Sequence, residues 1–397
     1  MEVMKKPTYE VVGKIERYDE RDNVFAREAL EPGSPEEVEY HRRNPHLIEV
    51  DREIGSFIQA KRDTTASGWK KAYYQGSFSP IAHLGLPGCV DGLPLSPPVG
   101  KSPEENSRVI KALALHLGAD LAGTGPLRKE WVYSHRGVLP YFRGEEPNPP
   151  LFDGMPDHYT GRQYGDPIEV SHENAVAMAF AQDFDTMKAG PGEASDLEVG
   201  RIYSKSALVA TQVARFIRTL GYSARAHHLR NYGVLVVPVA VDAGLGELAR
   251  CGYMVSREYG ANTRISCVTT DMPLLHDGPV DIGVQDFCNK CLKCARTCPA
   301  NAIPTGDKVE VNGTLRWKAD AEKCLLYWGR VGAACMICQT VCPWSKPPTA
   351  FHRAVAWTAV NAPWSRGALV TLDDVFYGSR FKQKPGPVWV PSQPKRG

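Results

Sequence analysis

The sequence predicts an α+β fold followed by a small cysteine-rich domain, and three observations lead there. Amphipathic helical patterns are followed by strand-like runs upstream, eight of the eleven cysteines fall between Cys288 and Cys342, and the composition is that of an ordinary globular protein. With 397 residues, 43% hydrophobic and 23% charged, the chain can bury a large core and form more than one domain. A formal net charge of +2 provides no basic field for nucleic acid. No apolar run reaches the length of a membrane span, and the opening MEVMKKPTYEVVGKIERYDER lacks the apolar stretch of a signal peptide. As given, the sequence therefore reads as cytoplasmic. The pair Arg42 and Arg43 has no apolar segment behind it and reads as a solvated charged turn.

Taken in order, residues 1–100 show no sustained pattern, and PLSPPVGKSP from Pro94 to Pro103 reads as an extended connector. Ser102, Pro103 and Glu105 then form a capping box, and Val109, Ile110, Leu113, Ala114 and Leu117 make one apolar face before Gly118, so a helix is expected over 103–117. ADLAGTGPL follows as a strand. The segment EVGRIYSKSALVATQVARFIRTLGY is again helical, with Ile202, Leu208, Val209, Val213, Phe216, Ile217 and Leu220 inward and Gly221 as the stop. Val234–Val241, apolar throughout, reads as a buried strand, GLGELARCG as a short helix and YMVS as another strand. The expected organisation is an N-terminal region over 1–100, a core over 101–280, the cysteine domain over 281–350 and a C-terminal extension over 351–397 packed on the core.

GLGELA places Gly244, Gly246 and Ala249 in a dinucleotide-binding pattern, with Asp271 downstream, but no second strand ending in an acidic residue accompanies it. These glycines are read instead as sites of close approach to some other flat or phosphorylated cofactor, or as packing.

The cysteines carry the chemistry. Cys288, Cys291, Cys294 and Cys298 followed by Pro299 spell C-x2-C-x2-C-x3-C-P, the bacterial ferredoxin run for a [4Fe-4S] cluster. A stretched complement, Cys324, Cys335, Cys338 and Cys342 with Pro343, supplies a second set. Crossed ligation, as in two-cluster ferredoxins, assigns Cys288, Cys291, Cys294 and Cys342 to one cluster and Cys298, Cys324, Cys335 and Cys338 to the other. Two C-x2-C pairs can also hold zinc, but eight thiolates in two C-P-terminated runs favour clusters over a zinc ribbon.

With these segments in view, the chain resembles the corrinoid-dependent, iron-sulfur reductive dehalogenases. The resemblance lies in KIERYDERDNVFAR, RIYSKSALVATQVARFIRTLGY, PVAVDAGLGELARCGYMVSREYGANTRI and the run from TTDMPLLHDGPVD through the cysteines to CPW. It implies a cobalamin held base-off in a core similar to flavin nitroreductases, beside two [4Fe-4S] clusters, acting on a small organohalide. In keeping with this, no D-x-H-x-x-G segment offers cobalt a lower histidine ligand. The resemblance implies Tyr203, in RIYSKSA, as proton donor, Arg264, in YGANTRI, as the cation beside it, and Asn231, in LRNYGVL, as a hydrogen-bonding partner. It also implies a low-potential electron donor (ferredoxin, flavodoxin or quinol-linked) and, were a twin-arginine leader removed, export and a small membrane anchor protein. Two rivals are an epoxyqueuosine reductase, which would act on tRNA and show a basic face, and a plain iron-sulfur electron carrier, which would not need some 280 residues ahead of its clusters.

Overall fold

The computed structural model describes residues 4–63, 68–99, 101–137, 164–229 and 231–390. A short strand, β1 (Glu10–Val11), opens it, and the region expected to be irregular holds α1 (Val24–Glu28), α2 (Pro35–Arg43), α3 (Ile48–Asp63), α4 (Gly68–Leu84) and α5 (Pro87–Val90). The signal for α2 was present: Ser34 accepts the Glu37 N–H at 3.2 Å, and Pro35 sits at the first helical position. Arg42 and Arg43 close that helix and pair with Glu39, at 3.0 and 3.2 Å, rather than forming a turn.

The core begins with α6 (Pro103–His116), capped by Ser102 as its sequence predicts, and β2 (Leu121–Pro126). After it come β3 (Asn174–Ala181), α7 (Phe184–Met187), α8 (Glu193–Thr219), β4 (Ala224–His227), α9 (Val236–Asp242), the hairpin β5 (Glu247–Leu248) and β6 (Met254–Val255), and β7 (Thr263–Thr270). Strands β2, β3, β7 and β4 lie in that order in one antiparallel sheet. Side chains alternate across it. Val176, Met178, Phe180 and Val268 join Ile110, Ile202, Val209, Val213 and Ile217 of α6 and α8, whereas Ala175, Ala177, Ala179 and Cys267 face Val239, Ala240 and Val241 of α9. The result is a sheet buried on both faces.

Two expected elements differ. Val234–Val241 forms α9 instead of a strand: a short apolar run has no period that separates the two, and Pro238 is tolerated within the first turn of a helix. GLGELARCG is not helical but enters β5 and the turn of its hairpin. On α8, Leu208 points outward, 48% exposed.

The cysteine domain contains α10 (Val284–Cys291), α11 (Lys293–Thr297), β8 (Val309–Val311), β9 (Thr314–Arg316), α12 (Ala321–Val331) and α13 (Ile337–Thr340). It is bound to the N-terminal region, because β1 pairs with β9 and Leu325 of α12 packs with Val24 and Ile54. Helices α14 (Ala350–Asn361) and α15 (Arg366–Tyr377) follow. The extension expected on the core rests mainly on the cysteine domain: Asp373 takes both Lys293 and, at 3.2 Å, Lys346, and Arg366 reaches Asp286 at 3.1 Å. Ala359 and Val370 also share an apolar cluster with Val255 and Ala261 of the core, and the tail returns to it where Gln383 donates to the Ala189 carbonyl at 2.7 Å. Among the described residues no helix is long and apolar enough to cross a membrane.

Helices α4 and α8 cross at Gly200, where an added Cβ would stand 2.3 Å from Ser77 Oγ and 2.8 Å from a Phe78 ring carbon. Alanine in a helix is intrinsically better than glycine by about 1 kcal/mol, but overpacking costs about 1–3 kcal/mol. The clash should win, so Gly200→Ala should lower the midpoint of denaturant unfolding; a higher midpoint would show that the two helices separate easily.

Candidate active site

The site is built where α8, β7 and the second cysteine run meet. Even-numbered residues of β7 face α8, and this parity brings Arg264 over the ring of Tyr203, with 5.4 Å from guanidinium carbon to ring centroid. The same guanidinium lies 5.9 Å from the ring of Tyr253, a residue the sequence reading did not single out. Arg264 is held by Gln339 Oε1 at 3.2 Å, the Thr263 carbonyl at 3.3 Å and Met336 Sδ at 3.0 Å. Gln339 is itself fixed by donating to the Ala261 carbonyl at 2.9 Å. Tyr203 packs against Met187, Val199, Ala334 and Met336, an apolar wall that limits water.

Tyr253 is held neutral, its phenol pushed well above its ordinary value by burial and then by the neighbouring Cys338. Its electrostatic neighbours, Cys338, Cys324, Arg264 and Tyr203, place it between the candidate proton donor and the second thiol group. Tyr232, also raised by burial and by Glu20, is another neighbour of Tyr203.

Asn231 is not joined to this pair. Its amide oxygen accepts from Arg225 at 2.8 Å and its amide nitrogen donates to the Gly85 carbonyl at 2.7 Å, so protein partners occupy it. His227, at the end of β4, and His228 after it are both buried. His227 Nδ1 accepts from Arg225 and from the Gly233 N–H, both at 3.0 Å, which leaves Nε2–H to donate to Thr269 at 2.9 Å. Burial, then Arg225, holds His227 well below its ordinary value, and burial brings His228 down to about 4, so both are neutral imidazoles rather than imidazolium acids at neutral pH. Gly244 and Gly246 are accounted for by packing: an added Cβ would stand 2.5 Å from the Gly278 carbonyl oxygen and 2.2 Å from that of Val255.

The two cysteine runs repeat one local design. Leu292 follows Cys291 and Met336 follows Cys335, each with positive φ (53° and 55°), and each turns the chain into a short helix, α11 or α13. The helix carries the next cysteine, and the fourth stands just beyond it, before a proline. Because α11 and α13 pack together, the end of each run is brought toward the other run. Cys342 accordingly has Cys288 and Cys291 among its electrostatic neighbours, while Cys298 neighbours Cys324, Cys335 and Cys338. Among the described residues no three His, Cys, Asp or Glu side chains are grouped as ligands of a single metal ion would be. Burial pushes Cys288 and Cys324 up to about 12 and Cys335 to about 11, so these thiols ionise only with added positive charge beside them. Backbone N–H groups of Lys293, Ile337 and Trp344 meet the sulfurs of Cys291, Cys335 and Cys342, an environment that suits cluster sulfur.

Residues 287–346 match the 4Fe-4S dicluster domain family. The tetrachloroethene reductive dehalogenase of Sulfurospirillum multivorans is 32% identical over 312 residues, covering 73% of this chain and 60% of the relative. That of Desulfitobacterium hafniense strain Y51 is 32% identical over 302 residues, 70% of this chain and 54% of the relative. A solved reductive dehalogenase described for B12-dependent dehalogenation superposes with a TM-score of 0.74 at 30% identity, over 96% of this chain and 49% of that one. A catabolic reductive dehalogenase in complex with 3-bromo-4-hydroxybenzoic acid gives 0.73 at 28% identity, with the same coverage. This chain thus spans about half to three fifths of the length of these relatives.

Two four-iron clusters imply about eight irons per chain after anaerobic reconstitution. Cys298→Ala should impair the cluster shared with Cys324, Cys335 and Cys338 and leave the other in place, as read by iron analysis and electron paramagnetic resonance; selective loss of the cluster held by Cys288, Cys291 and Cys294 would reverse the crossed assignment.

Proposed function

Because the chain belongs to the reductive dehalogenase family, we propose that it replaces halogen by hydrogen in a small organohalide, with Tyr203 as the proton donor. The observation that carries this is the buried guanidinium of Arg264 stacked on Tyr203 and tied to the second cysteine run. The reaction consumes two electrons and one proton: a carbon–halogen bond breaks, a carbon–hydrogen bond forms and halide leaves. In this proposal the clusters receive electrons from a low-potential donor, and a base-off cobalamin, when bound, supplies a strongly reducing cobalt centre. The fit to such a group rests on Arg264, whose Nε is buried without a hydrogen-bond partner, between two phenol rings and beside the second thiol group. Tyr203, Arg264 and Tyr253 would face the reacting centre. The four-stranded sheet between α8 and α9 is read, in the same proposal, as a nitroreductase-like core.

The residues then divide the work. Tyr203 gives its phenolic proton to the carbon losing halide, in surroundings where apolar side chains restrict water as a competing donor. Arg264 stabilises the phenolate that remains and attracts the departing anion. Tyr253, held neutral, keeps negative charge away from the guanidinium and limits the space on its other face. The relatives named for tetrachloroethene and the structure holding a bromophenol acid make tetrachloroethene and 3-bromo-4-hydroxybenzoate the first substrates to try.

Tyr203→Phe should keep fold and cluster content while turnover falls by roughly 10²- to 10⁴-fold, as for other lost general acids. Arg264→Lys retains charge without the planar fork and should keep partial activity, whereas Arg264→Met should lose most of it. Anaerobic turnover of cofactor-loaded variants reads the order, and Tyr203→Phe working at the parent rate would move the acid elsewhere.

A further inference from the structure

Helices α14 and α15 leave an open groove against the first thiol group. Its floor is Phe287 and Trp344, packed edge to face with ring centroids 5.4 Å apart. Phe287 immediately precedes Cys288, and Trp344 stands two residues after Cys342. Both rings belong to the apolar group that contains Cys291 and adjoins Cys288, Cys294 and Cys342. The walls are joined where His352 of α14 meets the Tyr377 hydroxyl of α15. Along them apolar side chains stay in water: Phe351 is 62% exposed and Phe376 70% exposed. Exposed apolar surface around a concave site marks a place of interaction.

The charge around the groove is mainly positive. Arg257 and Arg353 line it, and among the described residues neither is paired with a carboxylate; Arg353 donates only to the Pro348 carbonyl, at 2.8 Å. Of the two acids in the lining, Asp373 is buried and engaged by Lys293 and Lys346, which leaves Glu258. Arg380 and Lys382, both exposed, follow Tyr377 along the chain. Over residues 347–390 five Lys and Arg stand against two Asp, and both aspartates are held by Lys293.

We propose that this groove is the electron entry site and that its occupant is a small acidic ferredoxin. The proposal rests on the two-cluster reading. The second thiol group is tied to Arg264 through Gln339 and Met336, on the side of the reacting centre, whereas the first adjoins the groove. Electrons then enter at one group and leave from the other. In the transfer no bond forms or breaks: the ferredoxin loses one electron and the first cluster gains it. Electron-transfer encounters use small interfaces, so a groove with two exposed aromatic walls is enough to seat the partner. Opposite charge on the partner speeds the encounter. A second copy docked by the same face would instead bring like charges together.

Exchange in either direction passes through the same complex, so the test mixes the reconstituted full chain, reduced with titanium(III) citrate and freed of it, with an oxidised plant-type [2Fe-2S] ferredoxin. Stopped-flow absorbance then reads the transfer, which involves neither halide nor an organohalide and so stands apart from the proposed dehalogenation. The parent rate should fall as salt rises. Arg257→Glu with Arg353→Glu should lower the second-order rate by about 10-fold or more at low ionic strength, with iron content and the fully reduced cluster signal unchanged. Phe376→Ser should slow transfer without altering its salt dependence. Arg215→Glu, toward the end of α8 away from its contact with Ala334, should keep the parent rate. No transfer in the parent, a parent rate kept by the double variant, or an equal loss in Arg215→Glu would overturn the proposal. So would a parent dimer, or parent binding to anionic vesicles, that the double variant abolishes, because the groove would then serve a second copy or a membrane. A parent chain far short of about eight irons would mark failure of the two-cluster reading and remove the basis of the proposal with it.

Discussion

Arg264 is a buried cation held by neutral partners: an amide oxygen, a backbone carbonyl and a thioether, with no carboxylate paired to it among the described residues. Taking a charge out of water without an opposite charge is costly, and what the arrangement yields is a positive potential that no counterion cancels. That potential falls on Tyr203, whose ring the guanidinium covers. In the proposed reaction, the departing halide would meet that potential. The site's other features serve to keep this cation in place and dry.

Its holders also decide what it can be connected to. Met336 and Gln339 lie within the second cysteine run, one immediately after Cys335 and the other immediately after Cys338. The positive φ that Met336 needs to start α13 thus sets both the thiol spacing and the support of the guanidinium. In the proposed function, electron delivery and proton delivery would share one short piece of backbone. On the far side, Tyr253 stands against the same guanidinium and belongs to the β5–β6 hairpin, whose Arg250 donates to the Cys288 carbonyl of the first run at 3.2 Å. Both thiol groups are thereby joined mechanically to one residue on a central strand.

Much of this was legible in the sequence, for particular reasons. Helix α6 announced itself through Ser102, Pro103 and Glu105, and α8 through its long apolar periodicity ended at Gly221. The cysteine spacing carried the chemistry because thiolates at those intervals have few other uses. The strand β3 was not seen: NAVAMAFA is buried on both faces by α8 and α9, so the alternation that marks a half-buried strand is absent. The same ambiguity misled the reading of α9 as a strand. Tyr253 had no local signal, since its importance arises from β5–β6 meeting β7, a contact that no sequence period encodes. Asn231, placed at the site by resemblance alone, is engaged by Arg225 and Gly85, while its neighbour Tyr232 is the one in electrostatic reach of Tyr203.

The central claim is that the cysteine domain and the α+β core make one centre for removing halide. The direct measurement is halide released by ion chromatography from a panel of chlorinated and brominated alkenes and phenols. It would use anaerobically reconstituted protein loaded with cobalamin and a strong one-electron reductant, beside free cobalamin at the same concentration. The account predicts halide release well above that of free cobalamin for at least one substrate class, and its collapse when the clusters are removed. Fully loaded protein that releases halide no faster than free cobalamin across the panel would contradict it.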